Sequence, residues 1–227
     1  MFKLVNRQSH GGNGAFDNGS VRVYSEGPED SPSRALARYI ERAGATYLPA
    51  HGVRLMSRPD RFQRGSDHEA FNATGFTAVV FREATENYAR QHSANDTLDG
   101  VDIDYLSQNV RLNAAAIASL ALAPPAPIVV TERGAPTIAR GTSGYDAALT
   151  WKASPGAVAY RIYWRDAWGP DWEHQLTVGN VTEYVLSNLS IDNVVIGVAA
   201  VGADGHESLV SAYVAAPRPF APLQLVN

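Results

Sequence analysis

Ala123-Pro124-Pro125-Ala126-Pro127 constrains the fold of this chain more than any other stretch. Proline cannot donate the backbone hydrogen bond that a helix or central strand requires, and a short proline run makes a semi-rigid spacer. A secondary-structure element therefore ends before residue 123 and another begins after 127. The hydrophobic period also changes across the run, from mixed helical and strand patterns to short alternating segments. The sequence thus divides into a flexible amino-terminal segment (1–19), an α/β part (20–122), the linker (123–127), an all-β part (128–216) and a tail (217–227).

In the first part, Ser9-His10-Gly11-Gly12-Asn13-Gly14 reads as a flexible loop and Val21 to Tyr24 as a strand. Ser31-Pro32 has the form of an N-cap followed by proline at the first helical position. Ala35, Leu36, Tyr39, Ile40 and Ala43 then repeat at helical spacing, which predicts a helix to about Thr46. Gly52 to Met56 and Phe76 to Phe81 are further strand candidates, separated by a polar loop to Ser66. Asp99 to Asp104 supply an acidic helix start, and the periodic residues from Tyr105 to Leu120 predict a long helix that stops at the prolines.

Beyond the prolines seven strands are expected: 128–132, 146–151, 159–164, 173–178, 183–186, 194–201 and 209–214. Seven short strands at this spacing predict a β-sandwich. Trp151, Tyr160-Arg161-Ile162-Tyr163, Leu189 and the hairpin Asp204-Gly205-His206-Glu207-Ser208 give this part a resemblance to a fibronectin type III domain. Trp151, Tyr160 and Leu189 are expected in its core. Trp164, Trp168 and Trp172 form either a carbohydrate- or protein-contact surface or, the preferred reading, a cover for the sandwich edge.

The chemistry-bearing stretch is residues 64–102. Ser66-Asp67-His68 precedes an aromatic at Phe71, Gly75-Phe76-Thr77-Ala78 opens an apolar run, and His92 stands shortly before Asp96-Thr97-Leu98-Asp99. Open α/β sheets place ligand sites beyond the carboxyl ends of their strands, where His92 is expected. In order and spacing this stretch resembles the C-terminal part of a co-catalytic zinc aminopeptidase domain, of the leucyl aminopeptidase and glutamate carboxypeptidase-like metallopeptidase family. The resemblance covers roughly residues 15–122 and implies the closing half of an α/β sandwich. It also implies that His92 matches one of the side chains holding two zinc ions, while Asp67, His68 and Asp96 shape and support the substrate pocket. The complete enzymes act on the amino termini of peptides and are secreted or periplasmic.

The same pattern calls for a His-x-Asp, a bridging Asp, an adjacent Glu-Glu whose first Glu is the general base, and another Asp. Neither His-x-Asp nor Glu-Glu occurs in this chain, and residues 3–6 contain no carboxylate. Deprotonating a metal-bound water needs ligands on both ions and a base. The expectation is therefore a chain that holds no zinc stably and is inactive alone, either a fragment or a degenerate paralogue. The alternative is a non-catalytic protein- or carbohydrate-binding module working through the β-sandwich.

Composition narrows the remaining classes. A hydrophobic fraction of 45% is enough for an ordinary core, and with no cysteine any metal ligands must be His or carboxylates. The net charge of -4, with no run of Lys or Arg, argues against a nucleic-acid partner. No stretch reaches the length of a membrane span, and the first residues lack the apolar core of a secretory signal. A sheet missing its neighbours has an uncovered edge, so self-association through that edge is expected.

Overall fold

The computed structural model describes residues 2–3 and 9–215. Its first half is built on a four-stranded mixed sheet with the order β1-β4-β2-β3. The strands are β1 (Phe2–Lys3), β2 (Ser20–Tyr24), β3 (Gly52–Met56) and β4 (Val79–Glu83). β2 runs parallel to β3 and antiparallel to β4. Helices α1 (Pro32–Tyr47) and α3 (Ile103–Leu122) lie against one face, where Val21, Val23, Val79 and Phe81 meet Leu36, Ile40, Leu112 and Ala116. The alternate positions Arg22, Tyr24, Val80 and Arg82 point to the other face, as period-two geometry requires. Gly44 permits the close approach: a Cβ there would lie 3.0 Å from Val53 and 3.2 Å from Leu112.

The expected helix starts are present, with shifts. Ser31 caps α1, its hydroxyl accepting from the Arg34 amide at 3.1 Å. α3 begins at Asp102 rather than Asp99; the Asp102 carboxylate accepts from the Tyr105 amide at 3.0 Å, and Leu98–Gly100 form a separate 3-10 turn. Asp67 and His68 do not lie in a loop but open a short helix, α2 (Asp67–Ala73). The strand expected at Phe76 begins only at Val79. Phe76 is exposed and set edge-on to Phe71, because Gly75 at φ 87° turns the chain out of α2 first. The sheet carries helices α1 and α3 on one face and a polar layer on the other, so the helix-sheet-helix sandwich implied by the resemblance is only partly present among the described residues.

The second half pairs β5 (Ile138–Arg140), β6 (Ala147–Thr150) and β9 (Glu183–Leu186) in one antiparallel sheet. β11 (Ser211–Ala212), β10 (Val194–Gly202), β7 (Ala157–Asp166) and β8 (His174–Val178) form the other. Trp151, Tyr160, Ile162, Ile196 and Val198 fill the space between them, with Leu189 packed at the margin. The strand expected at 128–132 is absent: Ile128 and Val130 make only isolated bridges. A tight turn at Thr131–Gly134, with Gly134 at φ 75°, reverses the chain, and the first strand forms later at Ile138. The last strand shrinks from 209–214 to two residues.

The three tryptophans do not cluster. Trp164 stacks on His174, Trp168 is exposed, and Trp172 packs on Tyr163, Ala199 and Val210. Trp172 also faces two guanidinium groups, Arg38 of α1 at 5.8 Å and Arg165 of β7 at 5.5 Å. These groups join the two halves. Arg165 donates to both carboxylate oxygens of Asp30 at 2.8 and 3.0 Å, and Arg38 reaches Asp30 at 3.3 Å and the Pro170 carbonyl at 2.7 Å. Arg42 lies over the Tyr163 ring and within 3.6 Å of Glu207, and Ser119 of α3 contacts His206 at 3.0 Å. Pro124 packs beside Gly202. The proline run thus joins two docked bodies rather than spacing them apart.

Removing the carboxylate between two buried arginines leaves uncompensated charge, which typically costs about 3–5 kcal/mol. Asp30→Ala is therefore expected to lower the urea midpoint sharply. Far-UV circular dichroism and Trp fluorescence melts of wild type and variant check this, with the tryptophan signal lost at lower denaturant than in the wild type.

Candidate functional site

The polar face of the sheet holds a connected group of buried charges. Arg82, on buried β4, donates to Asp60 through Nη2 at 2.6 Å and Nε at 3.2 Å. Asp60 also accepts from the Arg61 amide at 2.7 Å and from Arg61 Nε at 3.2 Å. Arg61 continues to Glu86, whose other oxygen accepts from Arg22 at 2.6 Å and from Tyr88 at 3.1 Å. Arg22 completes the group by donating to the Glu83 carbonyl at 2.7 Å and to the Tyr24 hydroxyl at 2.9 Å. Two carboxylates with almost fully buried side chains are thus bridged by three arginines. Burial pushes the Asp60 carboxyl up, but the Arg82 hydrogen bond, the Arg61 amide and the two positive charges outweigh it, and its pKa falls below the ordinary value.

This network anchors the loop that carries His92. Arg61 and Arg64 lie over the Tyr88 ring at 5.9 and 4.5 Å, and Arg64 donates to Gln91 at 3.1 Å. Farther along, Arg90 pairs with Asp99 at 3.0 Å and packs so closely on Gly100 that a Cβ there would lie 2.8 Å from Nη1. His92 itself is exposed at the tip, with φ 58°, a left-handed conformation uncommon outside glycine and cheapest for Asn, Asp and His.

The four residues singled out in the sequence fall into two groups. His92 and Asp96 share the loop after β4, the Asp96 amide donating to the Ser93 carbonyl at 3.1 Å. Asp67 and His68 are on α2: Asp67 is exposed, whereas His68 is fully buried. His68 Nε2 lies 2.7 Å from the Pro59 carbonyl and so carries the proton, while Nδ1 meets no partner among the described residues. His68 thereby holds the segment leading into Asp60 and is not presented to solvent.

Among the described residues, no three His, Asp or Glu side chains are grouped so as to hold a metal ion. The donor set therefore does not fit the two zinc ions that the resemblance implies. The arginine-carboxylate network was missed in the sequence because the strand was ended at Phe81. Extending it to Arg82-Glu83 would have put a charge inside a buried strand, which demands a partner.

The similarities support the zinc metallopeptidase part of the resemblance and do not extend to the aminopeptidase subtype. The chain is 35% identical over 204 residues to a Pyricularia oryzae protein named "Probable zinc metalloprotease", covering 83% of this chain and 39% of that protein. A Pyrenophora teres f. teres protein of the same name is 35% identical over 198 residues, covering 82% and 40%. This chain is a homologue of probable zinc metalloproteases. It spans about two fifths of the length of these relatives. No family profile matches it. Among solved structures, an Fn3-like protein from Clostridium thermocellum is 27% identical, with a TM-score of 0.33 over 40% of this chain and 88% of that one.

A carboxyl whose folded pKa is depressed stabilises the fold above its unfolded value and ceases to do so as pH falls through the folded value. Asp60 is in this position, so its contribution is complete above about pH 4 and is lost in more acidic solution. Urea titrations at a series of pH values should show stability falling below that point, and Asp60→Asn should flatten this part of the profile.

Proposed function

We propose that the first half of this homologue of zinc metalloproteases corresponds to the C-terminal part of a zinc aminopeptidase domain, and that hydrolysis requires metal ligands which the described residues do not supply. The observation that carries this reading is the His92 loop, held beyond the carboxyl end of β4 in a chain 35% identical to a protein named as a probable zinc metalloprotease. His92 is the candidate ligand. Asp67, His68 and Asp96 act by support: His68 fixes the segment that brings Asp60 to Arg82, and that network in turn sets the direction of the loop. Zinc, in the complete enzymes, supplies the Lewis acid and lowers the pKa of bound water. Peptide amino termini are the substrate class on this reading.

The binding-module reading is the weaker one. It needs Trp164, Trp168 and Trp172 to form one surface, whereas Trp164 stacks on His174 and Trp172 is engaged by Arg38 and Arg165.

The test is hydrolysis of leucyl-p-nitroanilide by the purified chain in added zinc, with and without a chelator. The expected result is no zinc-dependent turnover in the wild type or in His92→Ala. Chelator-sensitive turnover that disappears in His92→Ala would overturn the proposal and require ligands outside the set described above.

A further inference from the structure

Helix α3 has two apolar faces, and only one is used. Tyr105, Leu112 and Ala116 are buried against the sheet. On the opposite side Ile103, Ser107, Val110, Ala114, Ile117 and Ala121 are all exposed, Ile103 to 66%, Val110 to 49% and Ile117 to 46%. A helix packed on a sheet by one face ordinarily shows water a polar face. Here the outer residues instead recur at alternating steps of four and three, the repeat by which helices form coiled coils. The repeat also alternates in size: Ile103, Val110 and Ile117 occupy one set of positions, Ser107, Ala114 and Ala121 the other. In an antiparallel pair the large set of one helix faces the small set of its partner, so the backbones can approach closely.

Charge specifies the occupant. Asp104 and Arg111 border one groove of about 650 Å³ together with Gln108 and Tyr47, so both lie on the same flank of the seam. Neither makes an ion pair among the described residues. They cannot reach each other along one helix, being about 10 Å apart in rise. Two-fold antiparallel pairing brings like flanks together. In the register that sets Ile103 against the partner's Ala114 and Val110 against the partner's Ser107, Arg111 falls opposite the partner's Asp104, twice by symmetry. A seam that is complementary to itself in both size and charge fits a second copy of the chain.

We propose that two copies of this chain associate through the outward face of α3, antiparallel about a two-fold axis near Gln108, with Arg111 of each copy paired to Asp104 of the other. This association goes beyond the catalytic reading and does not depend on it. The β3 edge of the sheet is a poorer place for self-association: β3 carries Arg54 at its centre, exposed and held by Asp17 at 2.6 Å, and antiparallel pairing about that residue would crowd two such side chains.

Sedimentation velocity of the full chain over a dilution series ending at about 100 μM tests the proposal, since that range populates a dimer with Kd of about 10 μM or tighter. The expected result is a dimer that Ala114→Glu converts to monomer, with the melting curves of variant and wild type coinciding at dilutions where the wild type is also monomeric, because Ala114 is exposed in the single copy. Arg111→Asp should weaken association about tenfold, and the exchange Asp104→Arg with Arg111→Asp should restore it to within about threefold. A wild-type chain that stays monomeric throughout overturns the proposal, as does a dimer that survives Ala114→Glu. A dimer lost only on changing β3 residues would move the contact to the sheet edge and overturn it equally.

Discussion

The relation between the two halves depends on how two guanidinium groups are kept out of water. Arg165 is almost completely buried and Arg38 nearly so, and a buried charge is tolerated only when paired and hydrogen-bonded. Asp30 supplies the charge, carbonyls at Pro170 and Gly169 supply acceptors, and the Trp172 ring covers both cations. Asp30 immediately precedes the Ser31 cap of α1, so the turn that leads into the helix also fixes the sandwich to it. Arg34, Arg38 and Arg42 recur every fourth residue and form a ridge along one side of α1, while Leu36, Ile40 and Ala43 on another side pack on the sheet. One helix therefore serves as the mortar between two cores: apolar toward its own sheet, cationic and aromatic toward the sandwich.

The same requirement organises the other side of the sheet. A charged residue within a buried strand, Arg82, forces Asp60 into place, and Asp60 brings Arg61 with it. Arg61 then orders Glu86 and Tyr88 at the start of the His92 loop. Breaking such a chain by removing one member costs more than forming it gains, because the remaining charges stay buried. The loop with His92 at its tip is thus tied at its base by electrostatics and held farther along by Arg90 on Asp99. This is an arrangement suited to presenting a side chain outward in a fixed direction rather than to burying it.

Local signals are legible in this sequence, whereas long-range ones leave little trace. The Ser31-Pro32 start of α1, the Gly205 hairpin and the core places of Trp151, Tyr160 and Leu189 follow from capping, turn chemistry and alternation, which act within a few residues. α2 was missed because Asp67 to Ala73 is too short to show a helical period. The apolar Ile128 to Glu132 run looked like a strand, but the turn closing on Gly134 consumed it. The docking of the halves was not legible either. Its anionic centre, Asp30, and its cations lie 135 positions apart at the Arg165 contact, and no local pattern links them. The arginine ridge on α1 was the one available clue, since a strip of cations beside an apolar face implies something anionic or aromatic above it.

The zinc question turns on the same distinction between local and assembled features. A resemblance carried by Ser66-Asp67-His68 and by His92 through Asp99 is a property of sequence order and survives wherever those segments fold. A metal site is a property of convergence, for several donors must meet at one point with the geometry the ion accepts. In this fold His92 and Asp96 stay on the loop, Asp67 remains at the surface, and His68 turns inward to a carbonyl. Among the described residues the loop is oriented by the arginine-carboxylate network, and no three donors converge on it. Arg22, Arg61, Arg82, Asp60 and Glu86 are engaged with one another in holding that loop, so in this fold their charges serve structure.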